Sequence, residues 1–155
     1  MQHVSLLVEL KIPDVTALTA ANTLRRSLGY TQLKQLLRAD YYGLELVAAD
    51  PAAAAKLAGE LAERTNLFVN PNKHAYKVIS GSPAASQETD GFTVAVLVTD
   101  PNDSSAEGIL EALQNRLGYG AQVQGVTRGL LWTLVLDCAS LEEAKELALE
   151  MVVTT

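Results

Sequence analysis

The feature that most restricts how this chain can fold is an internal repeat. The triplet Leu28-Gly29-Tyr30 recurs as Leu117-Gly118-Tyr119, and each copy ends an amphipathic segment that follows an alternating apolar one. With one extra residue after the second Tyr, the correspondence continues. Gln32, Leu33, Leu36 and Arg38 align with Gln122, Val123, Val126 and Arg128, and Tyr42, Leu44 and Leu46 align with Trp132, Leu134 and Leu136. Ala54, Leu57, Ala58 and Leu61 then match Ala144, Leu147, Ala148 and Met151. Identities are few, but the apolar phase is kept throughout, as in a duplication and its drift. The competing explanation is two unrelated α/β stretches that share a common helix end. Between the copies, residues 80–91 are small, polar and turn-forming with no apolar period, which reads as a linker. The organisation expected is therefore a first half over 1–80, a linker at 81–91 and a second half over 92–155.

Each half reads β-α-β-β-α. In the first, Val4, Leu6, Val8 and Leu10 alternate on one face of a strand that leaves its sheet at Ile12-Pro13. Leu18, Ala21, Leu24 and Leu28 give a helix from Asp14 that stops at Gly29, a residue able to take the left-handed conformation just past a helix end. Residues 32–38 and 41–48 form two strands, or one long bent strand. Asp50-Pro51 supplies an N-cap with proline at the first helical position, opening a second helix that runs through Arg64. Asn70-Pro71-Asn72 turns into a short strand at 75–79. The second half repeats the order: a strand at 92–98, a turn at 100–103, a helix at 105–117, strands near 122–127 and 130–136, and a helix opened by the capping box Ser140-Leu141-Glu142-Glu143. Its last strand is missing or reduced to 152–154. This order predicts an α+β fold with antiparallel sheets and helices on one face. Hydrophobic residues make up 48% and charged residues 19% of the chain, more apolar than two isolated small domains need. The surplus fits halves that bury sheet faces against each other as a covalent pseudo-dimer.

Composition also excludes partners. The net charge of −6 and the scattered Lys and Arg residues argue against general nucleic-acid binding, which requires clustered cations to neutralise phosphates. No apolar run approaches the roughly 20 residues that span a bilayer, and the N-terminus lacks the pattern of a signal peptide, so a cytoplasmic protein with no membrane segment is expected. The single Cys138 allows neither an intramolecular disulfide nor a cysteine-based metal site, and reads as a small buried residue.

Catalytic patterns are missing from the sequence. His3 and His74 have no metal-ligand spacing, Ser80-Gly81-Ser82 lies in the linker rather than a strand-to-helix elbow, and there is no phosphate-binding glycine loop. Glu142, Glu143 and Glu146 suit the first turns of a helix. No catalytic residue, metal or cofactor is expected. Tyr42 and Trp132 share the phase of Leu44 and Leu134, which suggests packing rather than ligand stacking. Arg38 and Arg128 are the charged residues kept in both copies, either as hydrogen-bonding forks within the fold or as contacts to a partner.

Leu10-Lys11, Leu28-Gly29-Tyr30, Leu37-Arg38, Leu67-Phe68-Val69-Asn70-Pro71 and Tyr76, in that order and spacing, resemble PurS, the small subunit of phosphoribosylformylglycinamidine synthase. The second half resembles it through Leu117-Gly118-Tyr119 and Arg128-Gly129. The chain departs from the family's pattern in two places. Pro13-Asp14-Val15-Thr16 lacks a glycine-rich turn, and the lysine of an Arg-x-Gly-Lys motif is absent at Tyr41 and Leu131. The resemblance implies two tandem PurS-like, ferredoxin-like halves and a non-catalytic role in de novo purine biosynthesis. That role is to bridge the glutaminase and ATP-dependent synthetase subunits of a ligase. It further implies protein contacts through Lys11, Arg38, Asn70, Pro71 and Arg128, with homo-oligomerisation open. The alternatives are a stand-alone duplicated α+β module that binds a small ligand, and an enzyme drawing on Arg38 and Asp40.

Overall fold

The computed structural model of the chain describes residues 1–82, 86–88 and 91–154. Its strands are β1 (Gln2–Leu10), β2 (Leu33–Leu46), β3 (His74–Ser80), β4 (Ser86–Glu88), β5 (Gly91–Val98) and β6 (Val123–Leu136). The helices are α1 (Val15–Asn22), α2 (Pro51–Arg64), α3 (Ser105–Glu111) and α4 (Leu141–Thr154). The order β3-β1-β2-β6-β5-β4 makes one sheet, and β1 runs antiparallel to both β2 and β3. The fold is thus α+β with an antiparallel sheet. Within that order β2 lies beside β6 in hydrogen-bonding contact.

Local chemistry accounts for the helix boundaries. The Asp14 carboxylate accepts from the N–H of Thr16 and Ala17 and so caps α1. Asp50 caps α2 through Ala53 N–H at 2.7 Å, with Pro51 at the first helical position. The Ser140 hydroxyl accepts from Glu143 N–H and opens α4. Both α1 and α3 end in a widened turn of π type, Thr23–Ser27 and Ala112–Arg116. Leu28 N–H bonds Thr23 O and Leu117 N–H bonds Ala112 O, each five residues back. Gly29 (φ 76°) and Gly118 (φ 80°) then turn the chain out of the helix in a conformation that Cβ-bearing residues disfavour.

Two alternatives that the sequence leaves open are decided, and two expectations are corrected. Of the two readings of 32–48, the single long strand is the one that forms: β2 is continuous over 14 residues, because Asp40 pairs with Val8 and Ala39 is buried. The two strands expected near 122–127 and 130–136 are corrected to one, β6, also 14 residues long. Residues 152–154 form no strand, because the apolar spacing of Ala144, Ala148 and Met151 carries α4 through Thr154. The 81–91 segment is not wholly a linker, since 86–88 pair with 91–93 as β4 and β5; the rest of that segment, 83–85 and 89–90, lies outside the described residues.

The chain divides into two compact units, and neither is a stretch of contiguous sequence. One contains Met1–Lys11, Ala39–Pro83 and Thr99–Leu130; the other contains Ile12–Arg38, Ala84–Val98 and Leu131–Thr155. In the first unit Val4, Leu6 and Val8 of β1 and Tyr42, Leu44 and Leu46 of β2 pack against Ala54, Ala58 and Leu61 of α2. Leu113 of the turn after α3 and Val123 of β6 complete that core. Tyr42 meets Phe68 edge-to-face at 4.9 Å. In the second unit Ala17, Ala21 and Leu24 pack with Leu33, Leu36, Val94, Trp132, Leu134 and Leu136, under Ala144, Ala148 and Met151 of α4. Each fully buried leucine of these cores contributes about 1.5–3 kcal/mol. Each unit therefore takes one helix from the chain before residue 80 and one from the chain after residue 92. The apolar surplus of the sequence fills these two cores.

Candidate functional site

The turn after α2 is built by Asn70. Its side-chain Oδ1 accepts from Asn72 N–H at 3.0 Å, its carbonyl accepts from the N–H of Lys73 and His74, and its own N–H donates to His74 Nδ1 at 3.1 Å. Pro71 fixes φ inside this turn and is exposed. Lys11, one residue past β1, closes the turn from the other side. Its N–H bonds Lys73 O at 2.9 Å and its Nζ donates to Pro71 O at 2.6 Å. Lys11, Asn70 and Pro71, far apart in sequence, thus meet at one corner of the first unit.

Beside this corner lies a cleft of about 430 Å³. Lys11, Pro71, His74, Ala75 and Tyr76 form one wall, and Ala62, Glu63, Asn66 and Val69, from the end of α2 and the segment after it, form the other. The Tyr76 hydroxyl donates to Glu63 Oε1 at 2.6 Å. That bond to a carboxylate raises the phenol's pKa above its ordinary value, because ionising it would set two negative charges together.

Arg38 and Arg128 lie elsewhere. In the second unit Arg38 forks onto the Asp14 carboxylate, Nε to Oδ2 at 2.9 Å and Nη2 to Oδ1 at 3.2 Å, with its guanidinium 5.9 Å from the Trp132 ring centroid. In the first unit Arg128 Nη1 reaches Asp103 Oδ2 at 3.4 Å and Ser105 Oγ at 3.0 Å, and lies 5.9 Å from the Tyr42 ring centroid. Hydrogen bonds from Ser105, side chain and backbone, hold the Asp103 carboxyl below its usual range, aided by Arg128. Burial pushes the Tyr42 phenol up, opposed by the Arg128 charge. In both places the arginine bonds to residues at the start of a helix, Arg38 as a two-nitrogen fork and Arg128 through Nη1 alone. The ring pairs, Arg38 with Trp132 and Arg128 with Tyr42, each join a strand residue of β2 to one of β6.

Cys138 packs at the edge of the second core, and burial, with Glu143 and Asp137 nearby, raises its pKa and makes it a poor nucleophile. His3 Nδ1 lies 2.6 Å from Glu45 Oε1, and Tyr41 Oη lies 3.3 Å from His3 Nε2. Among the described residues, no group of three or more His, Cys, Asp or Glu side chains is placed to hold a metal ion, and no helix is long and apolar enough to cross a membrane.

Sequence reasoning singled out Lys11, Asn70 and Pro71 but not Glu63 or Asn66, which face the same cleft. Helical periodicity marks them only as positions near the end of α2. Asp14 is legible as a helix-start residue and Asp103 as the end of a turn, with no signal that each receives an arginine. Comparisons with protein-family models, with curated proteins and with solved structures find no match to this chain.

Proposed function

We propose that this chain is a non-catalytic assembly subunit of the PurS type, acting in the cytoplasm. In this reading it bridges the glutaminase and ATP-dependent synthetase subunits of phosphoribosylformylglycinamidine synthase, with two PurS-like halves fused in one chain. The observation that carries the reading is the convergence of Lys11, Asn70, Pro71 and Tyr76, residues of the resembled motifs, around one exposed corner. Lys11 and Pro71 are both exposed there, as a docking surface requires. The duplication is supported by the two arginine arrangements, in which Arg38 and Arg128 each pair with an aspartate ahead of a helix and lie over an aromatic ring of the other half. The π turns that precede both Leu-Gly-Tyr triplets support it as well.

The reading is tested by size-exclusion chromatography of the chain with the two larger subunits, in the presence of glutamine and nucleotide. A three-component peak is expected, and Pro71→Glu, which sets a charge on the exposed corner, should weaken it while leaving the melting temperature near that of the parent. Separate elution of all three proteins at about micromolar concentrations would overturn the reading.

A further inference from the structure

The cleft beside Pro71 carries a charge arrangement that a docking corner does not need. Lys11 Nζ has three N–H groups and places one on Pro71 O; Glu63 has two carboxylate oxygens and places Oε1 on Tyr76. Both residues line the cleft, yet no ion pair among the described residues joins them. A cation and an anion thus face one space, separated by more than salt-bridge distance. His74 adds a donor to the Lys11 side: its Nδ1 accepts from Asn70 N–H, so the neutral ring carries its proton on Nε2. Glu63 lies in the last turn of α2, where the helix dipole adds negative potential to the carboxylate. Ala62, Val69 and Pro71 supply apolar lining to the same cleft.

We infer that this cleft binds a free α-amino acid as its zwitterion, the carboxylate on Lys11 and His74, the ammonium on Glu63. A simple carboxylate would face Glu63 with no counter-charge, and a simple amine would face Lys11; a ligand carrying both charges meets each pole with its complement. Phosphates are disfavoured for the same reason, since one lysine stands against Glu63. The volume of about 430 Å³ exceeds what the smallest amino acids fill and lies in the range of small-molecule sites, which selects a large apolar or aromatic side chain for the lining of Val69 and Pro71. This inference requires no partner protein and stands apart from the assembly reading.

Calorimetric titration of the full chain, alone, with the proteinogenic amino acids tests it. At least one of the large apolar or aromatic amino acids should bind and raise the melting temperature. The N-acetyl and the carboxamide derivatives of that amino acid, each lacking one charge, should bind at least about tenfold more weakly, a loss of ~1.4 kcal/mol. Lys11→Met and Glu63→Gln should weaken binding to a similar degree, whereas Arg64→Ala should leave it unchanged. Should Lys11→Met fold poorly, the two derivatives report on the same poles in the unaltered chain. Absence of binding for every amino acid up to about 10 mM, beyond the weakest affinities of metabolite sites, overturns the inference, as does equal binding of the N-acetyl derivative.

Discussion

Arg38 shows how one side chain can hold two parts of a unit together. Its guanidinium forks onto Asp14, whose carboxylate also caps α1, and it covers one face of Trp132. The pair is only partly exposed, at 26% and 18% of the side chains, so the hydrogen bonds are less weakened by solvent than those of a fully exposed pair. Arg38→Ala should cost about 1–2 kcal/mol in urea unfolding, and Arg38→Lys should recover only part of it, because an ammonium cannot make the fork. Arg128→Ala should cost less, since its contact to Asp103 is a longer single one at 3.4 Å. Tyr42 gives the fold a dependence on alkaline pH. Burial raises its pKa above the ordinary 10.0, so the folded chain keeps the phenol protonated where the unfolded chain ionises it. The resulting stability is complete below about pH 10 and is lost as pH climbs through the raised value. Urea midpoints measured from about pH 8 to 11 should fall more steeply for the parent than for Tyr42→Phe. The arginines were legible as paired positions in the sequence. Their acceptors were not, because an aspartate before a helix caps it whether or not an arginine arrives from a distant strand.

At the scale of elements, most boundaries follow from short-range chemistry and were readable. Asp14, Asp50 and Ser140 start helices where their side chains cap free N–H groups, and Gly29 and Gly118 stop them. The strand ends were less readable. Ala39-Asp40 resembles a break, yet pairing with β1 keeps the strand extended there; 152–154 are β-branched or polar enough for a strand, yet Met151 is fully buried and holds the last turn of α4 in place. Two glycines separate backbone effects from steric ones. Gly29 has φ 76° and open space where a Cβ would stand, so Gly29→Ala should cost only the backbone term of about 1 kcal/mol. Gly91 has φ 143°, and a Cβ there would press into the Leu136 carbonyl, which is backbone and cannot rotate away. Gly91→Ala should therefore lose more than about 2 kcal/mol, measured by the shift in urea midpoint at constant slope.

At the scale of the whole molecule, the compact units cut across the order of the sequence. α1 follows β1 in the chain but packs in the unit of β5 and α4, and α3 follows β5 but packs in the unit of β1 and α2. The division at residues 80 and 92 is one of sequence order, not of packing. Neither stretch can complete a core alone: 1–80 lacks Leu113 and Val123, and 92–155 lacks Ala17, Ala21, Leu24, Leu33 and Leu36. Peptides covering 1–80 and 92–155, made separately, should each unfold without a cooperative transition, and mixing them should restore one, as followed by circular dichroism against urea. A cooperative transition in the isolated 1–80 peptide at the parent's midpoint would contradict the exchange of helices.

The sequence by itself determined the order of the helices and of the strands other than β4, where the helices begin, and which face of each is apolar, because those properties depend on neighbours within a few residues. It did not determine what each apolar face would meet. Periodicity shows that Ala17, Ala21 and Leu24 need a partner surface, and the surfaces offered by the two halves are chemically alike, so the choice falls to chain connectivity and to the length of β2 and β6. The cleft beside Pro71 has the same character. Lys11, Glu63 and His74 are ordinary surface residues in the sequence, and only the turn built by Asn70, closing against the end of β1, brings their charges around a single space.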